Sequence, residues 1–564
     1  MTVVPSQTPG RGTGRAATVP AARAAPPGGD GADPSSPSAS RKFLARATLV
    51  TAALSIGGSL LGLVRDQSLA RLFGAGSDTD AFLVAWTVPE ISATLLIEDG
   101  LAIALIPAFS MALARRARGV AGDPVRELVA ATLPRLSLAF AAVAALVAWT
   151  APFLVEVLAP GLPDPRLAVD CTRLTAISLL AFGLAGYCSA ALRAHRRFFA
   201  PGAIYIAYNT GIVAAMFLLG GAWGVRAAAV GVAVGGCLMV AVQLPSLWRQ
   251  LASRAPTAGG AQGGGEERPV RLALIAAVLL FALCRQSQVL VERFLASSLP
   301  AGAISHLNYA QKVAQIPMTL SLMVCTVTFP VVARALADGD TERARDRVER
   351  DLVLSSCVVL LGMCAVIACA PQMVELLFQR GAFTASDTAA TSDVMRVYAL
   401  GLLGQTLVGT LIRSYFSAGR PSWYPLAAMG VGIVATSSIG AVAVRSWGVA
   451  GIAAANAAGI TVTAALLLAG LRTSRRGGAD GVRLRVRQVL AALGRPVLAS
   501  VGATVAGAFA ASRADSPLAG LAVGSLTVTV VFAALSLALG VQGSASAVRS
   551  VRTITRKLTH DRFR

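Results

Sequence analysis

Lysine is almost missing from this 564-residue chain: Lys42, Lys312 and Lys557 are the only three among 50 basic residues. Histidine is as scarce, with His195, His306 and His560 alone. The eight cysteines, Cys171 to Cys369, fall within or beside apolar stretches, with no CxxC and no Cys/His cluster. That spacing supports neither a disulfide framework nor a metal site, and the cysteines read as small buried hydrophobes. Charged residues make up only 14% of the chain. No GxxxxGK[ST], HExxH or GxSxG occurs, and no His/Asp constellation, so the chain carries no enzyme signature and nothing that calls for a cofactor.

Apolar residues fill the space these leave. They form 55% of the sequence, and the mean hydropathy is +0.66. Stretches of about 20 residues, the length that crosses a bilayer's hydrocarbon core, recur at 44–64, 80–112, 128–157, 168–192, 200–220, 225–247 and 271–297. They continue at 303–335, 352–377, 394–416, 422–442, 447–470, 489–511 and 517–540. The fold class is therefore all-α: a polytopic membrane protein of about fourteen spans. A net charge of +22 would suggest nucleic acid in a soluble protein. Here the arginines gather in every second loop, as in Arg115-Arg116-Arg118, Arg193-Arg196-Arg197 and Arg343 to Arg350, while 298–302 carries no charge. This alternation predicts a multi-pass protein of the cytoplasmic membrane with both termini cytoplasmic, and no nucleic-acid partner.

Composition also sets the divisions. Residues 1–41, rich in Pro, Gly, Ala and Ser, read as a disordered cytoplasmic tail. An N-lobe (42–250, spans 1–6) precedes a Gly-rich flexible linker (251–268), and a C-lobe (269–472, spans 7–12) comes after it. A terminal helix pair (473–541) and a basic cytoplasmic tail (542–564) complete the chain. Pro89 and Pro317 interrupt helices in corresponding positions of the two lobes, a pattern that points to a repeat-built transporter with its site between them.

Charges inside apolar runs are costly and mark function by default. Span one ends in Arg65-Asp66, which also fits a local ion pair. Span two contains Asp80, Glu90, Glu98 and Asp99, and helix periodicity places Glu90 and Glu98 on roughly one face, two turns apart. These acids face a water-filled cavity or a basic partner, or else sit at the membrane interfaces. Span seven carries Arg285, Gln286, Gln288, Glu292 and Arg293. Span eight carries Ser305, Asn308, Gln311, Lys312 and Gln315. Lys312, well inside its helix, suits a phosphate-bearing substrate as a point charge, the alternative being a structural pair with Glu292.

Several of these segments together are similar to one family. Gly62-Leu63-Val64-Arg65-Asp66, Ala70-Arg71-Leu72-Phe73-Gly74-Ala75-Gly76, Val291-Glu292-Arg293-Phe294, Tyr309-Ala310-Gln311-Lys312 and Phe378-Gln379-Arg380-Gly381-Ala382-Phe383 resemble the lipid II flippase (MurJ/MviN) family. That family belongs to the multidrug/oligosaccharidyl-lipid/polysaccharide exporter superfamily. The resemblance implies fourteen helices, with the last pair bordering a groove for lipid tails. It also implies alternating access that carries an undecaprenyl-pyrophosphate-linked peptidoglycan precursor to the outer leaflet. Its partners would be that lipid-linked glycan, the surrounding membrane lipids and, through the tails, cell-wall synthesis proteins. Cavity arginines hold the pyrophosphate in this picture. Arg65 matches one of them, and Lys312 stands where the family usually has Arg. Two departures stand out: Ser59 and Ala93-Thr94 occupy places of cavity arginines, and Glu90 replaces a neutral residue. They leave open a paralogue that handles another polyprenyl-linked glycan or an amphiphilic metabolite, or a non-transporting membrane scaffold.

Overall fold

In the computed structural model the described residues are 37–98, 100–119, 122–252, 272–322, 340–416, 422–473 and 484–541. The expected N-terminal tail up to residue 36, most of the 251–268 linker, the basic C-terminal tail, Asp99 and the end of span eight lie outside them. The chain divides into Met1–Leu49 and Val50–Arg564. In the first unit the backbone is helical from Pro37; the second unit holds the helical bundle.

Among the described residues every regular element is a helix. The first half comprises α1 (Pro37–Phe73), α2 (Ser77–Ala93), α3 (Gly100–Ala117), α4 (Pro124–Leu158), α5 (Pro165–Ala194), α6 (Phe199–Trp223) and α7 (Arg226–Ala252). The second comprises α8 (Leu272–Ala296), α9 (Ala303–Ala314), α10 (Thr341–Ala368), α11 (Ala370–Phe378), α12 (Ala385–Ala399), α13 (Leu402–Phe416) and α14 (Tyr424–Thr473). A last pair, α15 (Val486–Ser512) and α16 (Pro517–Ala538), packs together and against α10. Nine helices among the described residues are long and apolar enough to cross a membrane, or ten if the bent pair α12–α13 is one span.

Each of the fourteen apolar stretches has a helical counterpart, but the spans are less regular than hydropathy suggests. Span two is α2, a π-helical turn at Thr94–Glu98, and α3. Span eight stops after 12 residues at the Gln315 turn, resumes at 316 and is described to 322. Span ten is two helices bent by 45°. Spans eleven and twelve run together in α14, separated by Gly448, whose φ of 53° breaks the helical path.

Helix starts follow local chemistry. Asp123, Asp164 and Ser516 each cap a helix whose first residue is proline, accepting backbone N–H bonds from Val125 (3.2 Å), Leu167 (3.0 Å) and Ala519 (3.2 Å). Proline at that position gives up an N–H that has no helical partner and brings a helical φ. The packing then sorts the helices by neighbour. α5 lies at the centre of the first half, against α2, α3, α4 and α7. α4 turns Leu138, Trp149 and Phe153 outward, with Trp149 78% exposed. Apolar side chains left uncovered on a membrane helix are covered by lipid tails.

The halves meet at the end that bears the neutral loops. Ala382 N–H donates to the Arg71 carbonyl (2.9 Å), and Tyr309, Phe378 and Phe383 form an aromatic cluster with centroids 5.0–5.9 Å apart. Gly381 has φ +64°, and a Cβ there would meet the Arg71 carbonyl oxygen, so only glycine lets the second half come this close.

Candidate functional site

The charged residues of α1, α2, α8 and α9 converge between the halves. Arg65 near the end of α1 donates to Asp66 Oδ1 through Nε (3.0 Å) and Nη2 (2.7 Å), and through Nη1 to Asn209 Oδ1 of α6 (3.2 Å). Its guanidinium lies 4.5 Å from the ring centroid of Trp86 on α2. A guanidinium stacked on an indole and held on three donors is fixed in direction as well as charge. Asn209 is oriented in turn, since its Nδ2 donates to the Gly58 carbonyl (3.1 Å).

Opposite stands Lys312 on α9. Its Nζ is 3.1 Å from Glu90 Oε1, so its partner is Glu90 of α2 and not the Glu292 that the sequence offered. Arg293 of α8, only 5% exposed, reaches the other oxygen of Glu90 at 3.8 Å. Glu292 points elsewhere: its Oε1 accepts a short bond from Asn456 Nδ2 of α14. Two cavities open on this cluster. One, a small space of about 10 Å³, is lined by Arg65, Asp66, Trp86, Asn308 and Lys312 among others. The other, also about 10 Å³, includes Glu292, Arg293, Asn308 and Gln311. Asn308 lines both. A roomier groove of about 710 Å³ lies at the arginine-rich end, between α10 and α15, and belongs to different chemistry. There Arg485 bridges Asp346 and Glu349 in an exposed ion-pair cluster.

The remaining predicted residues go elsewhere. Asp80 is 3% exposed and accepts from the backbone N–H groups of Gly302 (2.7 Å) and Ser305 (2.7 Å) and from the Ser305 hydroxyl. It caps the N-terminus of α9 from the opposite half of the molecule, where helix geometry leaves N–H groups without partners. Asp80 and Ser305 thus serve closure, and they spend their hydrogen bonds on each other. Glu98 is exposed and accepts from Tyr205 OH (2.8 Å). Glu98 and Glu90 thus take separate partners, Tyr205 for the one and Lys312 with Arg293 for the other. The backbone between them passes into the π turn at Thr94–Glu98. Arg285 is exposed and Gln288 half-buried, and neither lines the two cavities. Gln286 instead crosses to Thr94 Oγ1 (3.5 Å), at the edge of the π turn.

Trp86, Asn209, Asn456 and Tyr398 were not singled out in the sequence. Tyr398 OH accepts from Gln311 (2.9 Å), Gln315 (3.1 Å) and Gln405 (3.2 Å), which fixes the polar face of α9 against α12. The available signal was the lone amide: Asn209 and Asn456 interrupt long apolar helices, where an unpaired amide is expensive. Across the cluster, Arg65, Arg293 and Lys312 balance Asp66, Glu90 and Glu292. Among these six residues the formal charges cancel.

Two helical halves that close on a charged chamber within the membrane define a transporter rather than an enzyme. The match to known proteins agrees. Residues 69–512 match the family described as Lipid II flippase MurJ, and the chain belongs to that family. It is 26% identical over 406 residues to the probable lipid II flippase MurJ of Rhizobium meliloti (strain 1021), covering 68% of this chain and 72% of the relative. It is also 26% identical over 407 residues to the lipid II flippase MurJ of Burkholderia cenocepacia, covering 70% and 77%. Among solved structures, a lipid II flippase MurJ in an inward closed conformation superposes with a TM-score of 0.68 at 18% identity, over 87% of this chain and 99% of that one. An inward-facing MATE family transporter of the MOP superfamily gives 0.58 at 13% identity, over 79% and 98%. The fold is therefore shared with this wider class.

Proposed function

We propose that the chain moves a polyprenyl-pyrophosphate-linked glycan, lipid II by default, from the inner to the outer leaflet of the cytoplasmic membrane by alternating access. In this reading six spans on each side of the 251–268 linker form the two moving lobes, the terminal pair borders the lipid tail, and both termini are cytoplasmic. One observation carries it. Lys312 and Arg293 from the second half, joined through Glu90, and Arg65 from the first converge on two adjoining cavities between the halves. A pyrophosphate needs several cations at once, and in a low-dielectric chamber each counts for more than at a surface. The Trp86 ring and the Asn209 amide aim Arg65, and Glu90 occupies the two cations opposite until the substrate arrives.

The test is complementation of a strain depleted of its own lipid II flippase, scored for lipid II in the outer leaflet. Rescue is expected, with loss of rescue in Lys312→Ala. Good expression with no rescue would favour the paralogue reading, for which the paired state of every chamber cation speaks. Rescue of growth without lipid II translocation would favour the scaffold.

A further inference from the structure

Among the described residues, Glu90 is the one acid in the chamber that holds the two halves together through ions. Its carboxylate stands on α2, while Lys312 (3.1 Å) and Arg293 (3.8 Å) stand on α9 and α8. Asp66 also neutralises a chamber cation, but it is the sequence neighbour of Arg65 on the same helix and links nothing across the interface. The backbone around Glu90 is built to shift. Pro89 removes the N–H that would bond the Ala85 carbonyl, and Thr175 Oγ1 of α5 donates there instead (3.4 Å). One turn further on comes the π turn at Thr94–Glu98. Proline and π turns are where helices bend.

We infer that Glu90 is an internal counter-anion: the substrate's pyrophosphate displaces it from Lys312 and Arg293, and Glu90 expels the pyrophosphate by taking those cations back. This rests on the reading of the chamber as a pyrophosphate site. The charge balance requires an exchange of this kind. With Arg65 already paired to Asp66, and Lys312 and Arg293 to Glu90, an entering pyrophosphate shares Lys312 with a carboxylate only against like-charge repulsion in a poorly screened space. When the substrate takes Lys312 and Arg293, the ionic link between α2 and the second half is released in the same event. Binding and loosening of the halves are then coupled, because the ligand favours the state in which that link is broken. Return of Glu90 restores the empty, neutral chamber and resets the link.

The experiment uses the full chain in lipid nanodiscs, titrated with farnesyl pyrophosphate, with exchange of bound ligand followed after dilution. Glu90→Gln removes the competing charge and keeps the volume. It is expected to bind about tenfold tighter or more and to release the ligand more slowly by a similar factor. Transport in reconstituted vesicles falls, because release has lost its driver. The gain should vanish in Glu90→Gln combined with Lys312→Ala, which shows that it acts through the lysine. Glu90→Asp, one methylene shorter and still charged, should tighten binding by a smaller factor, and it decides the matter alone if the glutamine variant does not fold. A purely structural Glu90 would give weaker binding in both variants. Equal or weaker binding in folded Glu90→Gln, or in Glu90→Asp where only that folds, overturns the inference and leaves the pyrophosphate site standing. Absence of any binding by the wild type overturns the site reading and this inference with it.

Discussion

Asp80 and Glu90 lie ten residues apart on α2, and both reach across to the second half of the molecule, yet they make opposite kinds of contact. Asp80 bonds two backbone N–H groups and a hydroxyl at the start of α9. Those donors carry no net charge, cannot leave and cannot be offered to a substrate. Glu90, a few turns deeper, meets the charged side-chain heads of a lysine and an arginine, which an incoming anion can claim. A carboxylate on backbone amides fastens; a carboxylate on side-chain cations can be exchanged. One helix thus carries a fixed closure at the neutral-loop end and a replaceable one in the chamber.

The sharpest way to break the comparison is Asp80→Ala. Two buried N–H groups of α9 lose their acceptor, at about 1–3 kcal/mol for each orphaned group. Melting temperature in detergent and steady-state protein level should both fall markedly, and transport should fall with them. If Asp80→Ala stays as stable as wild type, the cap is not a fastening. Lys312→Ala separates the two roles: transport is expected to drop about 30-fold or more, the usual consequence of truncating one member of a desolvated charge pair, while protein level stays near normal. Arg65→Ala should behave alike, whereas Lys312→Arg should transport almost as well as wild type, since a cation remains in reach of Glu90. Loss of folded protein in both alanine variants would place these residues with Asp80.

A smaller effect sharpens the chamber's limits. Arg293→Ala should impair transport strongly and Arg285→Ala only slightly, because Arg293 is buried against Glu90 while Arg285 is exposed. Equal losses would mean that the chamber extends further along α8.

The smallest expected effect lies outside the membrane spans, at His195, the residue that ends α5. Burial, helped by nearby Arg116 and Arg197, holds its imidazole below the ordinary histidine value. The unfolded chain therefore takes up a proton before the folded one does. Stability is undiminished above the ordinary value of about 6.5 and falls as pH drops from there towards the depressed one. His195→Gln should lose less thermal stability than wild type between pH 7 and pH 5, and equal losses would contradict this.

Hydropathy was enough to read a polytopic helical protein, because the bilayer demands apolar length. The motifs around Arg65 and Lys312 were enough to read the family. Local sequence also marked almost every charged residue that matters, since a charge within an apolar run is conspicuous wherever it points. What it left open was pairing. Nothing near Lys312 in the chain says that its partner is Glu90, 222 residues earlier, rather than Glu292. Nor does anything near Asp80 say that it caps a helix of the other half. The π turn at Thr94–Glu98 likewise has no signature in helical periodicity. Apolar length and charge are properties of a segment and survive in its sequence. The partner of a buried charge depends on which helices come within a few ångströms, and only the tertiary packing decides that.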